Sequence, residues 1–215
     1  MFSWLTDGMR AFLDWLVGLT GNYGIAIILI TLALRVVLFP LTAKGMRANF
    51  KMQAIQPEVK ELQKKYKKDP DQLNRATMEL WKKHGVNPFA GCLTMIVQLP
   101  IIFGFIGVLR EYEFLGNPSF LWIPHLGQPD PYYILPVLAA AGTYIQSKLT
   151  TPSTDQSMKT MTYLFPVMVL AFGFKMPAAF TLYWVFSSIF SVLERFLIIR
   201  PTPDAGNEEQ VAGQA

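Results

Sequence analysis

Charged residues are scarce in this sequence. They make up 16% of its 215 residues, against 52% hydrophobic residues, whereas about 25% charged residues is usual in a soluble domain. This composition excludes an ordinary soluble protein and favours an integral membrane protein. A single domain is expected at this length.

Cysteine and catalytic motifs are lacking too. Cys92 is the only cysteine, which excludes a disulfide framework within the chain. The sequence contains no HExxH, GxSxG or phosphate-binding P-loop motif. No two titratable groups share the same depth in the apolar segments, so general acid–base chemistry has no pair of groups to use. We therefore expect no enzyme activity, no metal site and no cofactor.

Long apolar segments are what the sequence does contain. They cover residues 22–43, 89–109, 132–148, 159–174 and 176–194. A helix rises about 1.5 Å per residue, so about 20 apolar residues cross the roughly 30 Å hydrocarbon core, and the shorter segments require local thinning of the bilayer. The pattern predicts an all-α integral membrane protein with five transmembrane helices in a core of residues 21–200.

The two ends of the chain differ from this core. In residues 1–20, apolar side chains recur at helical spacing and polar or charged ones occupy the other face, which predicts an amphipathic helix in the membrane interface. A signal peptide is the alternative, but charges interrupt its apolar core. Residues 201–215 are polar and carry no Lys or Arg. We expect this tail to be disordered and to offer ribosomes no basic tether.

Basic residues concentrate between the first two apolar segments. Eleven Lys or Arg and five acidic residues lie between Lys44 and Gly85. The positive-inside rule makes this loop cytoplasmic, with the N-terminus outside and the C-terminus in the cytoplasm. Two runs of apolar residues at helical spacing flank Asp69 and Pro70, which suit a helix N-cap and a first helical position. We therefore expect residues 45–86 to form an antiparallel helical hairpin, whose lysines lie beside anionic lipid or dock a partner.

Arg35 is the one charged residue deep within an apolar segment. Insertion scales assign arginine at a helix centre a cost of roughly 2.5–3.5 kcal/mol, and Lys44 is about 13 Å further along the helix. Arg35 either bonds helix carbonyls in a structural role or lies in a partly hydrated cavity. We favour the cavity. Because no acidic residue is found deep in the segments, Arg35 is expected to be unpaired and to attract a negative charge from elsewhere.

Polar residues in other segments support a cavity. Thr181, Trp184, Ser188 and Ser191 share one helical face in the last segment, although such a stripe also serves helix packing. Gln98 and Gln146 lie at a similar depth, and Thr31 is one turn from Arg35. The predicted substrate groove comprises Thr31, Arg35, Gln98, Gln146, Thr181, Trp184 and Ser188.

Four stretches carry a resemblance to a known family. They are LRVVLFPLT, VNPFAGCLTMIVQLPIIFGF, FLWIPHLGQPDPYYILPVLAA and FTLYWVFSSIF. In this order, from about Tyr23 to Arg200, the chain resembles the YidC-type membrane protein insertases, relatives of the mitochondrial Oxa and chloroplast Albino proteins. The resemblance implies a five-helix core whose groove contains Arg35, Thr31 and Trp184 and is closed toward the outside. It also implies that the cytoplasmic hairpin is mobile and handles substrates.

The residues and the resemblance together indicate an insertase and chaperone of the bacterial plasma membrane. Its expected partners are nascent membrane proteins and the lipid bilayer; participation of the ribosome and the Sec translocon stays open, and no nucleic-acid specificity is expected. The alternative is a small anion channel or transporter that uses Arg35 as its binding site. The lack of acidic residues deep in the segments argues against proton coupling, and a transporter, unlike an insertase, should open toward the outside.

Overall fold

The computed structural model describes residues 3–67, 69–87, 90–111, 119–150 and 156–199. The tail 201–215 therefore lies outside the described residues. Within the described ranges the regular elements are helices, with one isolated bridge between Phe120 and Ile123. The helices are α1 (Ser3–Thr20), α2 (Tyr23–Ala54), α3 (Gln56–Lys65), α4 (Pro70–Lys83), α5 (Ala90–Glu111), α6 (Ile134–Thr150), α7 (Gln156–Gly173) and α8 (Ala178–Ile199).

Helix α1 packs on the rest of the bundle through one apolar side. Met9, Leu13 and Leu16 are buried where α1 contacts α2 and α5. Phe12 and Trp15 stack with ring centroids 5.7 Å apart, yet both remain exposed. The helix therefore presents apolar surface to its surroundings as well as to the bundle.

Helix α2 is longer than the apolar segment from which it was predicted. It begins at Tyr23, directly after the N-cap residue Asn22, whose side chain accepts hydrogen bonds from the backbone N–H groups of Gly24 and Ile25. It then runs for 32 residues with Pro40 in its interior, about 48 Å at the usual rise. The residues after 43 are mostly good helix formers, so the helix continues through the predicted start of the hairpin at residue 45 and ends at Ala54.

The hairpin helices are α3 and α4, which contact each other. As the sequence predicts, Asp69 caps α4 by accepting a hydrogen bond of 3.0 Å from the backbone N–H of Gln72, and Pro70 is the first helical residue. Gly85 follows α4 with a φ of +60°, a conformation that glycine adopts without steric cost. A small apolar cluster joins the hairpin to the end of α2: Met52, Ile55, Val86 and Trp81.

Helix α8 lies at the centre of the bundle. It contacts α2, α5 and α6, while α7 packs on α6. Phe105 of α5 and Tyr183 of α8 stack with centroids 4.7 Å apart in this core. Among the described residues, α2 and Ala178–Ile198 are long and apolar enough to cross a membrane, and Gln98–Val108 and Thr160–Gly173 are shorter apolar helical stretches.

The segment 119–133 folds over the end of the bundle where α2 and α8 begin. The carbonyl oxygens of Gln128 and Leu126 accept hydrogen bonds from the backbone N–H groups of Ala178 and Ala179, at 2.7 and 2.9 Å. These bonds satisfy donors that the first turn of α8 would otherwise leave without partners.

The same segment also fills the space between the helices. Ile123 and Leu126 are almost fully buried, at 1% and 0% exposure. The ring of Phe120 lies directly against Gly24 of α2, where any Cβ would overlap it. Glycine at position 24 therefore allows the segment to close this end of the bundle.

Candidate functional site

Arg35 is buried between α2 and α8, with 9% of its surface exposed. Its Nη2 donates a hydrogen bond of 2.5 Å to the Ser187 hydroxyl. Its Nη1 lies 3.5 Å from Oε2 of Glu194, another buried side chain. The prediction that Arg35 is unpaired is therefore wrong, because an acidic residue near the end of α8 reaches it.

Glu194 continues the polar stripe of α8 by one further turn. It follows Ser191 by three residues, and residues three apart lie on neighbouring parts of a helix surface. Glu194 is the last residue of the apolar segment 176–194, but α8 extends to Ile199. Burying a guanidinium without a counter-charge costs free energy. This cost is the feature of the sequence that could have predicted an acidic partner for Arg35.

A chain of polar contacts links Arg35 to α5. The Gln98 Nε2 donates a hydrogen bond of 2.6 Å to the Tyr183 hydroxyl, and Tyr183 interacts with Ser187, the acceptor of the Arg35 bond. Gln98 is thus brought into the site, but through Tyr183 and Ser187, two residues that the sequence interpretation missed. Ser187 directly precedes the predicted stripe residue Ser188, whereas nothing in the periodicity distinguishes Tyr183 from a core aromatic.

Three other predicted groove residues have no recorded contact with Arg35. The Thr31 hydroxyl donates to the Ile27 carbonyl within α2, and the Thr181 hydroxyl donates to the Pro177 carbonyl. Ser188 packs against α6, where a Cβ on Gly142 would lie 3.0 Å from the Ser188 Cβ. Ser188 of the α8 stripe therefore serves close helix packing, while the neighbouring Ser187 accepts the hydrogen bond from Arg35.

Trp184 belongs to a second, largely apolar region. Its Nε1 donates a hydrogen bond of 2.9 Å to the hydroxyl of Thr143 on α6, which in turn donates to the Ala139 carbonyl. Trp184 and Thr181 line a cavity of about 220 Å³ between α5, α6, α7 and α8 whose other walls are apolar. Gln146 is half-buried on α6, three residues after Thr143. Of the seven predicted groove residues, Arg35 and Gln98 thus belong to the polar cluster, Thr181 and Trp184 line this apolar cavity, and Thr31, Ser188 and Gln146 belong to neither.

The hydrogen bond between Trp184 and Thr143 should contribute to the stability of the α6–α8 contact. Changing Trp184 to Phe keeps most of the ring and removes the donor, and we expect a loss of about 1 kcal/mol in the free energy of unfolding. Changing Thr143 to Val removes the acceptor and leaves the partly buried Trp184 N–H without its partner. Thermal denaturation in detergent measures both losses.

The double variant is the control for this bond. If the two groups interact, Trp184→Phe combined with Thr143→Val should lose less stability than the sum of the single changes. Strictly additive losses would contradict a stabilising hydrogen bond between them.

Metal ligation finds no support in the part of the chain that the structure describes, because no group of three or more His, Cys, Asp or Glu side chains is placed to hold an ion. The described fold and site instead define a helical protein with membrane-length apolar helices and a buried arginine–glutamate pair. Residues 15–205 match the family model described as 60Kd inner membrane protein. The chain belongs to this family.

Its relatives include proteins named for insertion into membranes. The chain is 40% identical to the membrane protein insertase YidC of Fusobacterium nucleatum, over 92% of this chain and 98% of the relative. It is 41% identical to the membrane protein insertase MisCA of Bacillus subtilis, over 91% of this chain and 77% of the relative.

A solved structure has the same fold. It is a crystal structure of an active YidC insertase with its first transmembrane domain resolved, similar to this chain with a TM-score of 0.74 and 28% identity. The match covers 94% of this chain and 47% of the solved chain, so this chain spans about half the length of that protein.

Proposed function

We propose that this protein inserts nascent membrane proteins into the bilayer and assists their folding. Its relatives in Fusobacterium nucleatum and Bacillus subtilis are named membrane protein insertases. The observation that carries the mechanism is the burial of Arg35 at 9% exposure within a helix of membrane-spanning length. A cation at such a position is costly, and ionisable residues at membrane depth are therefore rare and mark functional sites.

In this proposal α2, α5, α6, α7 and α8 cross the membrane, and α1 lies in its interface. The outward sides of these helices support lipid contact, because they expose more large apolar side chains than a soluble surface tolerates. Examples on the five helices are Val36 at 65%, Phe103 at 58%, Val137 at 55%, Val167 at 61% and Leu197 at 61% exposure. The basic hairpin of α3 and α4 then extends into the cytoplasm.

The client is a nascent protein whose polar tail must cross hydrocarbon. A groove beside Arg35 that opens to the cytoplasm shortens the apolar path, and Arg35 attracts acidic residues of the tail, strongly because the local dielectric is low. The client's apolar segment passes Trp184 and partitions into lipid. Hydrophobic partitioning and the membrane potential, about 2.3 kcal/mol per charge for 100 mV, supply the driving force without nucleotide hydrolysis.

The segment 119–133 supports an insertase over an anion channel or transporter. It packs on Gly24 and bonds the first turn of α8, at the end of the bundle that faces outward in the proposed orientation. A transporter would have to move this segment in every cycle, whereas an insertase keeps it closed.

Reconstitution separates the two functions. Purified protein in liposomes should insert a client with one apolar segment in the absence of nucleotide, and it should not raise the permeability of the liposomes to chloride. Chloride flux that is abolished by Arg35→Ala, without client insertion, would identify the channel instead.

Topology is tested by labelling single cysteines in intact cells. In a Cys92→Ser background, we expect a membrane-impermeant maleimide to label Tyr132→Cys, since Tyr132 is 67% exposed on the proposed outer side. Met78→Cys, at a position 51% exposed on α4, should react only after permeabilisation. The opposite pattern would overturn the assigned orientation, and the Cys92→Ser parent without added cysteine measures background.

A further inference from the structure

The two sides of the Arg35 guanidinium are held differently. On one side, Nη2 and the Ser187 hydroxyl form a short hydrogen bond of 2.5 Å. On the other side, Nη1 and the Glu194 carboxylate are 3.5 Å apart, longer than the 2.7–2.9 Å of a charge-assisted hydrogen bond. Oε2 of Glu194 is buried and has no hydrogen-bond partner. Ser187 thus anchors the guanidinium, while Glu194 is attached to it mainly by charge.

We infer that Glu194 is a specificity-determining residue, whose carboxylate holds the place at Arg35 that an acidic client side chain takes during insertion. This inference rests on the proposed function. The chemical class of the incoming ligand is the same as that of the resident group: a carboxylate on a flexible stem, supplied by Asp or Glu of the client. Glu194 therefore sets how acidic a client tail must be before Arg35 engages it.

Exchanging the Glu194 carboxylate for a client carboxylate costs less free energy than leaving Arg35 without any counter-charge. The buried guanidinium has a counter-charge both before and after the exchange, so neither end state carries the large cost of an unpaired buried charge. Ser187 stays bonded and keeps the guanidinium in position. The displaced Glu194 lies only five residues before the last residue of α8, Ile199, about 7.5 Å along the axis, and its flexible stem allows the carboxylate to turn toward the cytoplasmic interface.

The expected effect of this competition follows from population arithmetic. When a site is free for only a fraction of the time, its apparent affinity for a ligand equals the intrinsic affinity multiplied by that fraction. If Arg35 is free of Glu194 for about a tenth of the time, removing the Glu194 charge raises the apparent affinity for a client carboxylate about tenfold. The gain should be largest for clients with one acidic residue, small for clients with many, and absent for clients with none.

A purely structural ion pair predicts a different result. If the pair only fastens α2 to α8, neutralising Glu194 leaves a buried cation and lowers the abundance and activity of the protein for every client alike. The two interpretations therefore differ in sign for clients with a single acidic residue.

The experiment measures insertion into liposomes by purified full-length protein, for one client whose translocated tail carries zero, one, two or four Asp residues. Wild type, Glu194→Gln and Asp7→Asn are compared at equal amounts of folded protein. Asp7 is exposed on α1, so Asp7→Asn removes one negative charge without touching the site. We expect Glu194→Gln to raise insertion of the one-Asp client about tenfold at subsaturating client, and Asp7→Asn to match wild type.

The outcomes distinguish a failure of the Glu194 competition from a failure of the proposed function. If wild-type insertion rises with Asp count but Glu194→Gln brings no gain for the one-Asp client, the competition is wrong while the proposed function stands. If wild-type insertion does not depend on Asp count, the electrostatic function itself fails. Should Glu194→Gln not accumulate, Glu194→Asp keeps the charge on a shorter stem and should shift the one-Asp client in the same direction by a smaller factor; an unchanged or lower value overturns the inference.

Discussion

Replacing Arg35 by alanine should lower insertion of clients with several acidic residues in the translocated tail by about tenfold, while clients with neutral tails change little. Two unit charges 4 Å apart attract by about 4 kcal/mol at an effective dielectric constant of about 20. Desolvation of the client carboxylate offsets much of this attraction. A remainder of about 1.4 kcal/mol corresponds to the tenfold change.

The charge at position 35, more than the fork geometry of arginine, should decide the result. Arg35→Lys should therefore retain much of the activity on acidic clients, although it weakens the bond to Ser187. Arg35→Glu should be the most impaired variant, because it places a second carboxylate beside Glu194, from which Nη1 of Arg35 is 3.5 Å away, and repels the client as well.

The pairing with Glu194 requires a specific control for these variants. Arg35→Ala leaves the Glu194 carboxylate buried without its partner, which by itself destabilises the protein. The double variant Arg35→Gln with Glu194→Gln removes both charges and leaves no unpaired ion. Its abundance should recover toward wild type, while its insertion of acidic clients should stay low.

The measurement is insertion efficiency across clients that differ only in Asp or Glu count, normalised to the amount of insertase. An Arg35→Ala defect of equal size for every client would falsify the electrostatic mechanism. Recovery of acidic-client insertion in the neutral double variant would likewise assign Arg35 a structural role.

Hydropathy was a reliable guide to the apolar helices and a poor guide to where α2 ends. Hydropathy shows which residues favour an apolar environment. The apolar segment ends at residue 43 because lysine and arginine residues follow it, starting with Lys44. The helix itself continues to Ala54, because backbone hydrogen bonding and helix propensity do not depend on the membrane boundary. The Asp69 cap was predictable since its signal is local: an acceptor side chain directly before Pro70.

The partners of Arg35 were less accessible to sequence reasoning. The cost of a buried charge identified Arg35 itself, and the same principle demanded a counter-charge that the interpretation assigned to a client. Glu194 lies 159 residues further along the chain, and no periodicity within one helix indicates which residues of another helix it meets. The closure of the bundle by the segment 119–133 was missed for the same reason, because it depends on backbone carbonyls meeting the start of α8.

Asp130 should be the residue on which this closure depends most. It is 1% exposed, and its two carboxylate oxygens accept hydrogen bonds from the backbone N–H groups of Tyr132 and Leu135, at 3.1 and 2.7 Å. The carboxylate also lies at the N-terminus of α6, where the helix dipole stabilises negative charge. It thus fixes the turn that leads from the segment 119–133 into the helix.

Changing Asp130 to alanine leaves two backbone donors without their acceptor, one of them buried, and should cost about 2–3 kcal/mol of stability. For a chain of this size such a loss corresponds to a melting temperature lower by roughly 4–12 °C. Asp130→Asn retains an acceptor oxygen and should lose less than half as much, whereas Asp7→Ala removes an exposed carboxylate and should leave the melting temperature within about 1 °C, as for most surface substitutions. Thermal unfolding in detergent ranks the three variants. Equal losses for Asp130→Ala and Asp7→Ala would mean that the Asp130 hydrogen bonds do not hold the segment in place, and the closure of this end of the bundle would then depend on the packing of Phe120, Ile123 and Leu126 alone.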